Sequence, residues 1–219
     1  MMKLFTKLGA NPKILKSDKA GKGYLSLIMH LAPSDKSGYD TCPFASPGCK
    51  AACLNTSGHG RYQRTQEARI RKTKFFFENR EAFMFQLIRE ISNFQKYCQK
   101  RGVNPAIRLN GTSDIAWESV CPAIFKMFPN VQFYDYTKDP SRVGNTPFNY
   151  DLTFSRDETN RVVCKSVFAN GGRIAIVYKK IPSYATNGDK TDLRFLDPSG
   201  IVGVKAKGRA KHDKSGFVV

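Results

Sequence analysis

The sequence predicts an α/β fold on parallel strands, either a partial (βα)6-type barrel or an open parallel sheet. Three observations carry this prediction. From about residue 104 onward, short runs rich in β-branched and aromatic residues alternate with segments of helical periodicity, the pattern of βαβ units. About six strand candidates can be found, fewer than the eight a closed barrel requires. The first four are each followed by polar or charged residues, as expected at the carboxyl edge of such a sheet, where ligands bind.

The elements follow in order. Residues 1–22, polar and rich in Gly and Lys, predict a basic N-terminal arm, and residues 23–219 a single domain. Tyr24 to Ala32 (YLSLIMHLA) is an apolar run of strand length, stopped by Pro33 and a long polar loop. Arg61 to Lys100 contains neither Pro nor Gly. Within it Phe83, Leu87, Ile91, Phe94 and Cys98 recur at steps of three and four, which predicts an amphipathic helix capped by Asn79 and preceded by another ending near Phe77. Beyond it, PAIRLNG predicts a strand, AWESVCPAIFKMF a helix, VQFYDYT and NYDLTFS strands, RDETNRVVCKSVFA a helix, and RIAIVYK and IVGVKAKG the last strands.

With 219 residues and 41% hydrophobic content, the chain can bury one sizeable core. No stretch approaches the ~20 apolar residues of a membrane span, and the basic start lacks the apolar run of a secretory signal. No membrane association is expected, and the expected location is the cytoplasm. Six cysteines in such a chain read as reduced thiols rather than a disulfide framework. Thirty-six Lys and Arg against eighteen Asp and Glu give a formal charge of +18, so nucleic acid is a candidate partner through the basic surface. The excess is spread along the chain, which a generally basic surface explains equally well.

The segment TCPFASPGCKAACLNTSGHGRY places Cys42, Cys49 and Cys53 within twelve residues, among small residues that let backbone wrap a bulky inorganic group. Thiolates are soft ligands that suit iron-sulfur clusters or zinc. Zinc usually takes four protein ligands, of which His59 could be the fourth. Three cysteines alone suit a [4Fe-4S] cluster with one iron open to a small molecule. Cys98 and Cys121 fall on apolar stripes and read as core; Cys164 does too, with a fourth-ligand role as its alternative. His30 lies in the first strand and His212 in the basic tail. No Ser or Cys forms a nucleophile-base pattern with a histidine, so hydrolytic machinery is not visible.

The cysteine loop after the first strand, NGTSD after the second, FYDYTK after the third, and the closing GDKTDLRFLDPSGIVGVKAKG with DKSGFVV resemble a group of bacteriophage proteins of the "gene product 88" type. More distantly, the chain is similar to radical S-adenosylmethionine enzymes, although their usual cluster motif has three and then two residues between cysteines and this chain has six and three. The resemblance implies a radical-enzyme-like fold, a [4Fe-4S] cluster on the three cysteines and S-adenosylmethionine as a candidate ligand. In those enzymes a Gly-Gly-Glu turn after the second strand holds the amino group of that ligand. The matching place here holds Asn110, Gly111, Ser113 and Asp114, with Asp114 in the acidic position. By the same placement Tyr136 and Lys138 after the third strand, and Ser155 and Arg156 after the fourth, are expected near the ligand.

Each of these residues has a plainer reading. Asp114 could cap the helix starting near Ala116, and Arg108, Asp189, Asp192 and Arg194 could form an internal charge network. Arg61, Arg64, Arg69, Arg71, Lys72 and Lys74 could track a phosphate backbone or form a solvated helical face. The expected function is therefore that of an iron-sulfur protein, with a radical-type enzyme of unsettled substrate as one form. Its alternatives are a non-catalytic metal protein that binds nucleic acid or another protein, and an electron-transfer protein.

Overall fold

Alternating side chains on seven short strands produce two different surfaces, and the sheet curls between them. The computed structural model describes residues 2–8, 18–19 and 22–219. The strands are β1 (Tyr24–Ile28), β2 (Asn104–Arg108), β3 (Gln132–Thr137), β4 (Tyr150–Ser155), β5 (Arg173–Tyr178), β6 (Thr186–Asn187) and β7 (Gly200–Lys205). They form one sheet in the order β1-β2-β3-β4-β5-β7-β6, every neighbouring pair parallel. The result is an open, curled half-barrel, the partial-barrel form of the expected fold.

Six of the strands are those the sequence predicts. The seventh, β6, has two residues and pairs only with β7, too short to leave a periodic signal. The helices are α1 (Pro47–Ala51), α2 (Gln63–Glu78), α3 (Arg80–Gln99), α4 (Trp117–Val120), α5 (Ala123–Met127) and α6 (Arg161–Ala169). Asn79 does separate α2 from α3, but its side chain makes no capping hydrogen bond. The expected single helix over 116–128 is two short ones divided at Pro122, which cannot continue an N–H ladder. The expected helix from Arg156 begins only at Arg161. Before it, the Asp157 carboxylate accepts from the backbone N–H groups of Thr159 and Asn160 and holds a turn.

One face of the sheet carries the main apolar core. Leu27 and Met29 from the first strand region, Ile107 and Leu109 from the second, and Phe133, Tyr150 and Leu152 meet Phe83, Leu87, Ile91, Phe94 and Cys98 of α3. The expected stripe of α3 is therefore the buried one. Trp117 packs against Phe76 and Phe83, with ring centroids 5.3 and 6.4 Å away. Much of the expected N-terminal arm lies outside the described residues; in its described part Leu4 and Phe5 are buried in this core, and the backbone of Phe5 bridges Met29.

The other face is partly filled by residues 188–197, which fold back into the curl. Leu193 packs with Ala106 and Tyr134, and the Phe195 ring meets those of Tyr24 and Tyr134. This segment occupies part of the hollow. A chamber is left at the carboxyl ends of the strands.

Candidate functional site

The chamber measures about 970 Å³, at the upper end of the roughly 300–1,000 Å³ of ligand pockets. Residues at or just beyond the carboxyl ends of β1, β2, β3, β4, β5 and β7 line it, as parallel topology dictates: His30, Asn110 to Asp114, Tyr136 to Lys138, Ser155, Val177 and Lys205. Cys42, Cys49 and Cys53 are half-buried on its wall. Of the eight residues expected near a ligand, seven line the chamber: Asn110, Gly111, Ser113, Asp114, Tyr136, Lys138 and Ser155.

Arg156 is the exception. It donates to the carbonyls of Gly216 and Phe217 at 2.6 and 2.8 Å and so fastens the C-terminal segment. Phe217 and Val218, from the closing DKSGFVV motif, pack with Ala52, Ala206 and Ala210 against Cys49 and Val177. The tail is thereby part of the wall behind the cysteines.

The cysteine loop is held from several directions. Ser46 caps α1, accepting from the Cys49 N–H at 3.1 Å. Glu158, beyond β4, accepts from the Gly48 N–H at 2.7 Å and from the Ser46 hydroxyl at 2.9 Å. A side chain at Gly48 would bring its Cβ within 2.6 Å of the Glu158 carboxylate, whereas Gly58 is needed for its left-handed backbone, φ +51°. Glu158 was not legible as a site residue, because its partners lie more than a hundred positions upstream.

Two of the three sulfurs accept backbone N–H groups, Cys42 from Ser34 at 3.4 Å and Cys53 from Asn55 at 3.5 Å. The Cys42 thiol also points to the Thr112 carbonyl at 3.8 Å, which couples the cysteine loop to the NGTSD turn. Ser34 is the only described non-glycine residue with positive φ, +51°, and its buried hydroxyl has no hydrogen-bond partner. Backbone strain beside an orphaned hydroxyl on the wall of a chamber is what a ligand site tolerates.

Burial pushes the thiols up, Cys42 to about 11 and Cys49 to about 12, with Cys53 raised in the same direction. Opposing that, the charge of Lys138 favours the Cys49 thiolate, and those of Arg69 and Lys36 favour the Cys53 thiolate. Among the described residues, no group of three or more His, Cys, Asp or Glu is placed to hold a metal ion.

The NGTSD turn is rigid for reasons internal to the fold. The Asn110 carbonyl oxygen accepts from Ser113, the Ile115 N–H and the Trp117 indole, and its amide donates to the Ile115 carbonyl. Gly111 has room for no side chain, since a Cβ would lie 2.5 Å from the Met29 carbonyl. Asp114 does not cap a helix. Its carboxylate accepts from Arg142 at 2.6 Å, from the Lys138 N–H at 2.8 Å and from Thr137 at 3.3 Å. Lys138 is similarly committed, its ammonium donating to the carbonyls of Ser155 and Arg156 and pairing with Asp157 at 3.5 Å. Tyr136 presents its ring to the Arg108 guanidinium at 4.6 Å.

Of the expected charge network, Arg108 and Asp192 do pair, at 3.3 Å, whereas Asp189 pairs with Lys207 and Arg194 with Asp197. Cys98 and Cys164 are buried in apolar clusters and Cys121 packs against the main one. Cys164 does not line the chamber, whereas His59 does.

The basic start of α2 divides by face. Arg61, Arg64, Arg71 and Lys74 are exposed, whereas Arg69 and Lys72 are buried against the chamber. Their spacing of three, in register with buried Thr73 and Phe76, was the available sequence signal.

The model of one family, described as gene product 88, matches residues 3–219, and the chain belongs to that family. No curated protein and no solved structure matches it. The more distant similarity to radical S-adenosylmethionine enzymes has no counterpart in these comparisons. No described helix is long and apolar enough to cross a membrane.

Proposed function

We propose that this member of the gene product 88 family is an iron-sulfur protein, holding a [4Fe-4S] cluster through Cys42, Cys49 and Cys53 and receiving a small molecule in the rest of the chamber. The observation that carries the reading is the placement of three half-buried thiols on one wall of a single large chamber at the carboxyl edge of the sheet. The donor set fits the group: soft ligands, two sulfurs already accepting N–H bonds, cations facing two of them, and an unpartnered serine hydroxyl alongside.

A four-iron cluster held by three thiolates supplies one-electron chemistry and one iron open to a small ligand. The chain does the rest. Lys138, Arg69 and Lys36 offset thiolate charge, the Ser34 and Asn55 N–H groups orient two sulfurs, and Glu158 with the C-terminal segment fixes the loop. Ala52, Val177 and Phe217 keep that side of the wall apolar. The placement of Cys164 away from the chamber favours an open iron over a fourth cysteine ligand. S-adenosylmethionine is the ligand the radical-enzyme likeness suggests; Asp114, the residue expected to meet its amino group, is committed to Arg142. A second reading, polyanion binding, rests on exposed Arg61, Arg64, Arg71 and Lys74 next to the cysteine loop.

Anaerobic purification followed by iron, sulfide and zinc analysis tests the proposal. About four irons and four sulfides per chain are expected, with an absorption or paramagnetic-resonance change on adding S-adenosylmethionine if that ligand reaches the open iron. Stoichiometric zinc without sulfide would replace the cluster with a zinc site. Nucleic-acid affinity that falls steeply with salt, in a chain free of metal, would favour the second reading.

A further inference from the structure

The deep wall of the chamber, away from the cysteines, holds more buried positive charge than the fold neutralises. Arg69, Lys72 and Arg108 are all at least nine-tenths buried and all line the chamber around His30. Arg108 is matched: it pairs with Asp192 at 3.3 Å and Asp135 at 3.7 Å. Arg69 and Lys72 are not. The Arg69 guanidinium donates to the neutral Asn55 carbonyl oxygen and its Nε has no hydrogen-bond partner. The Lys72 ammonium donates to the Leu4 carbonyl at 3.0 Å, and no carboxylate among the described residues lies within ion-pair distance of either cation. Glu90, the acid that acts on Lys72 from further away, is committed to the N–H groups of Leu4 and Phe5.

The other carboxylates on the chamber wall do not supply the missing charge. Asp192 pairs with Arg108, Asp114 with Arg142 and Asp189 with Lys207, while Asp35 lies exposed. Burying a cation without a partner is strongly unfavourable, so two of them together on one wall call for an anion. Burial above all, and then the charges of Arg69, Lys72 and Arg108, hold the His30 imidazole well below its ordinary value and so neutral; its Nδ1 already meets Thr6 at 3.2 Å. A neutral imidazole adds a hydrogen-bonding group without adding charge.

We propose that Lys72 and Arg69, with His30 and Arg108 beside them, form a subsite for the oxyanion group of a small molecule, a phosphate or a carboxylate, that enters the chamber alongside Cys53. The proposal goes beyond the cluster reading and does not depend on it. Of the four, Arg69 is the cation whose charge acts on a thiol, that of Cys53, and neither Lys72 nor Arg108 is among the charges that shift the three cysteines.

The test is calorimetric titration of inorganic pyrophosphate, and separately of malonate, into the wild-type chain and into a chain with Cys42, Cys49 and Cys53 all replaced by Ser. One site per chain is expected in both proteins. Stronger binding of pyrophosphate would make the natural group a phosphate, and of malonate a carboxylate; binding of neither would overturn the proposal. Lys72→Met and Arg69→Gln should each weaken the preferred anion at least tenfold, whereas replacing Lys126 and Lys165, exposed and outside the chamber, by Gln should change it less than twofold. The reverse pattern would reduce the effect to surface attraction and overturn the subsite.

Loss of anion binding in the cysteine-free chain, with iron retained by the wild type, would mean the cations serve the cluster, which sinks this proposal and leaves the cluster reading standing. If Lys72→Met does not fold, acetylation of Lys72 in the wild-type chain, read by mass spectrometry, decides the matter. Protection by pyrophosphate or malonate but not by sodium chloride is expected, and equal labelling in all three would overturn the proposal.

Discussion

The two faces of the sheet are made from alternate residues of the same strands, yet they obey opposite rules. On the second strand and just beyond its end, Ile107 and Leu109 enter the apolar core, while Ala106 and Arg108 face the hollow. On β3, Phe133 packs against the Phe125 ring at 4.9 Å, while Tyr134 and Tyr136 turn to the Asp192 carboxylate and the Arg108 guanidinium. The helix-covered face is closed by large aromatic and aliphatic side chains, and the hollow face keeps buried charges, an orphaned hydroxyl and three reluctant thiols. The contrast teaches that apolar burial under α2 and α3 stabilises the fold, and that this stability sustains a chamber whose groups are costly to bury.

The sharpest separation of the faces comes from the cysteines. Replacing Cys42, Cys49 or Cys53 by Ser should abolish cluster retention, read as iron and sulfide per chain, while the melting temperature of the metal-free protein moves little. Full iron in any one of the three variants would remove that residue from the site.

Phe83→Ala, on the opposite face, should cost about 3–5 kcal/mol by urea unfolding, because a fully buried ring is lost from the cluster around Trp117. Its folded fraction should bind as much iron as the wild type, and a parallel loss of iron would merge the two faces into one unit.

Arg142→Ala probes the border between them. It strands the nearly buried carboxylates of Asp114 and Glu118, both 2.6 Å from the guanidinium, and should cost roughly 3 kcal/mol. Neutralising all three positions together should recover much of that loss. Glu158→Ala removes the acceptor for the Gly48 N–H and the Ser46 hydroxyl. A loss of about 1–3 kcal/mol is expected, with faster escape of iron in the presence of a chelator, since the clamp acts on the cysteine loop.

The last effect is a pH slope rather than the loss of a contact. Burial pushes the Asp135 carboxyl up to about 7, against the charge of Arg108 and the Asn110 N–H, from an ordinary value of 3.8. Between about 4 and 7 the folded chain keeps a proton that the unfolded chain has released, so this group makes stability fall as pH rises through that window. Asp135→Asn should flatten that part of the profile; an unchanged slope would assign it to other groups.

Much of the architecture was legible because it is local. Strand-length runs between turn residues marked six of seven strands, and the step of Phe83, Leu87, Ile91, Phe94 and Cys98 marked the buried stripe of α3. The three cysteines were legible because rare residues spaced within one loop carry their own signal. What escaped depends on long-range pairing. Asp114 reads as a ligand or a cap until Arg142, 28 residues on, takes its carboxylate. Arg156 reads as a ligand residue until the C-terminal carbonyls return to it across the fold. Arg69 and Lys72 were hidden inside a basic run whose other members face solvent. Pro122 shortened a predicted helix by a rule that was available, and the tertiary packing of Trp117 and Ile124 on either side keeps both halves.

The central claim is that Cys42, Cys49 and Cys53 together hold iron on the chamber wall. Anomalous diffraction from anaerobically grown crystals, collected on both sides of the iron absorption edge, tests it most directly. The account predicts a compact peak of iron density in bonding contact with all three sulfurs. Iron density elsewhere, or zinc density at the three thiols in its place, would contradict it.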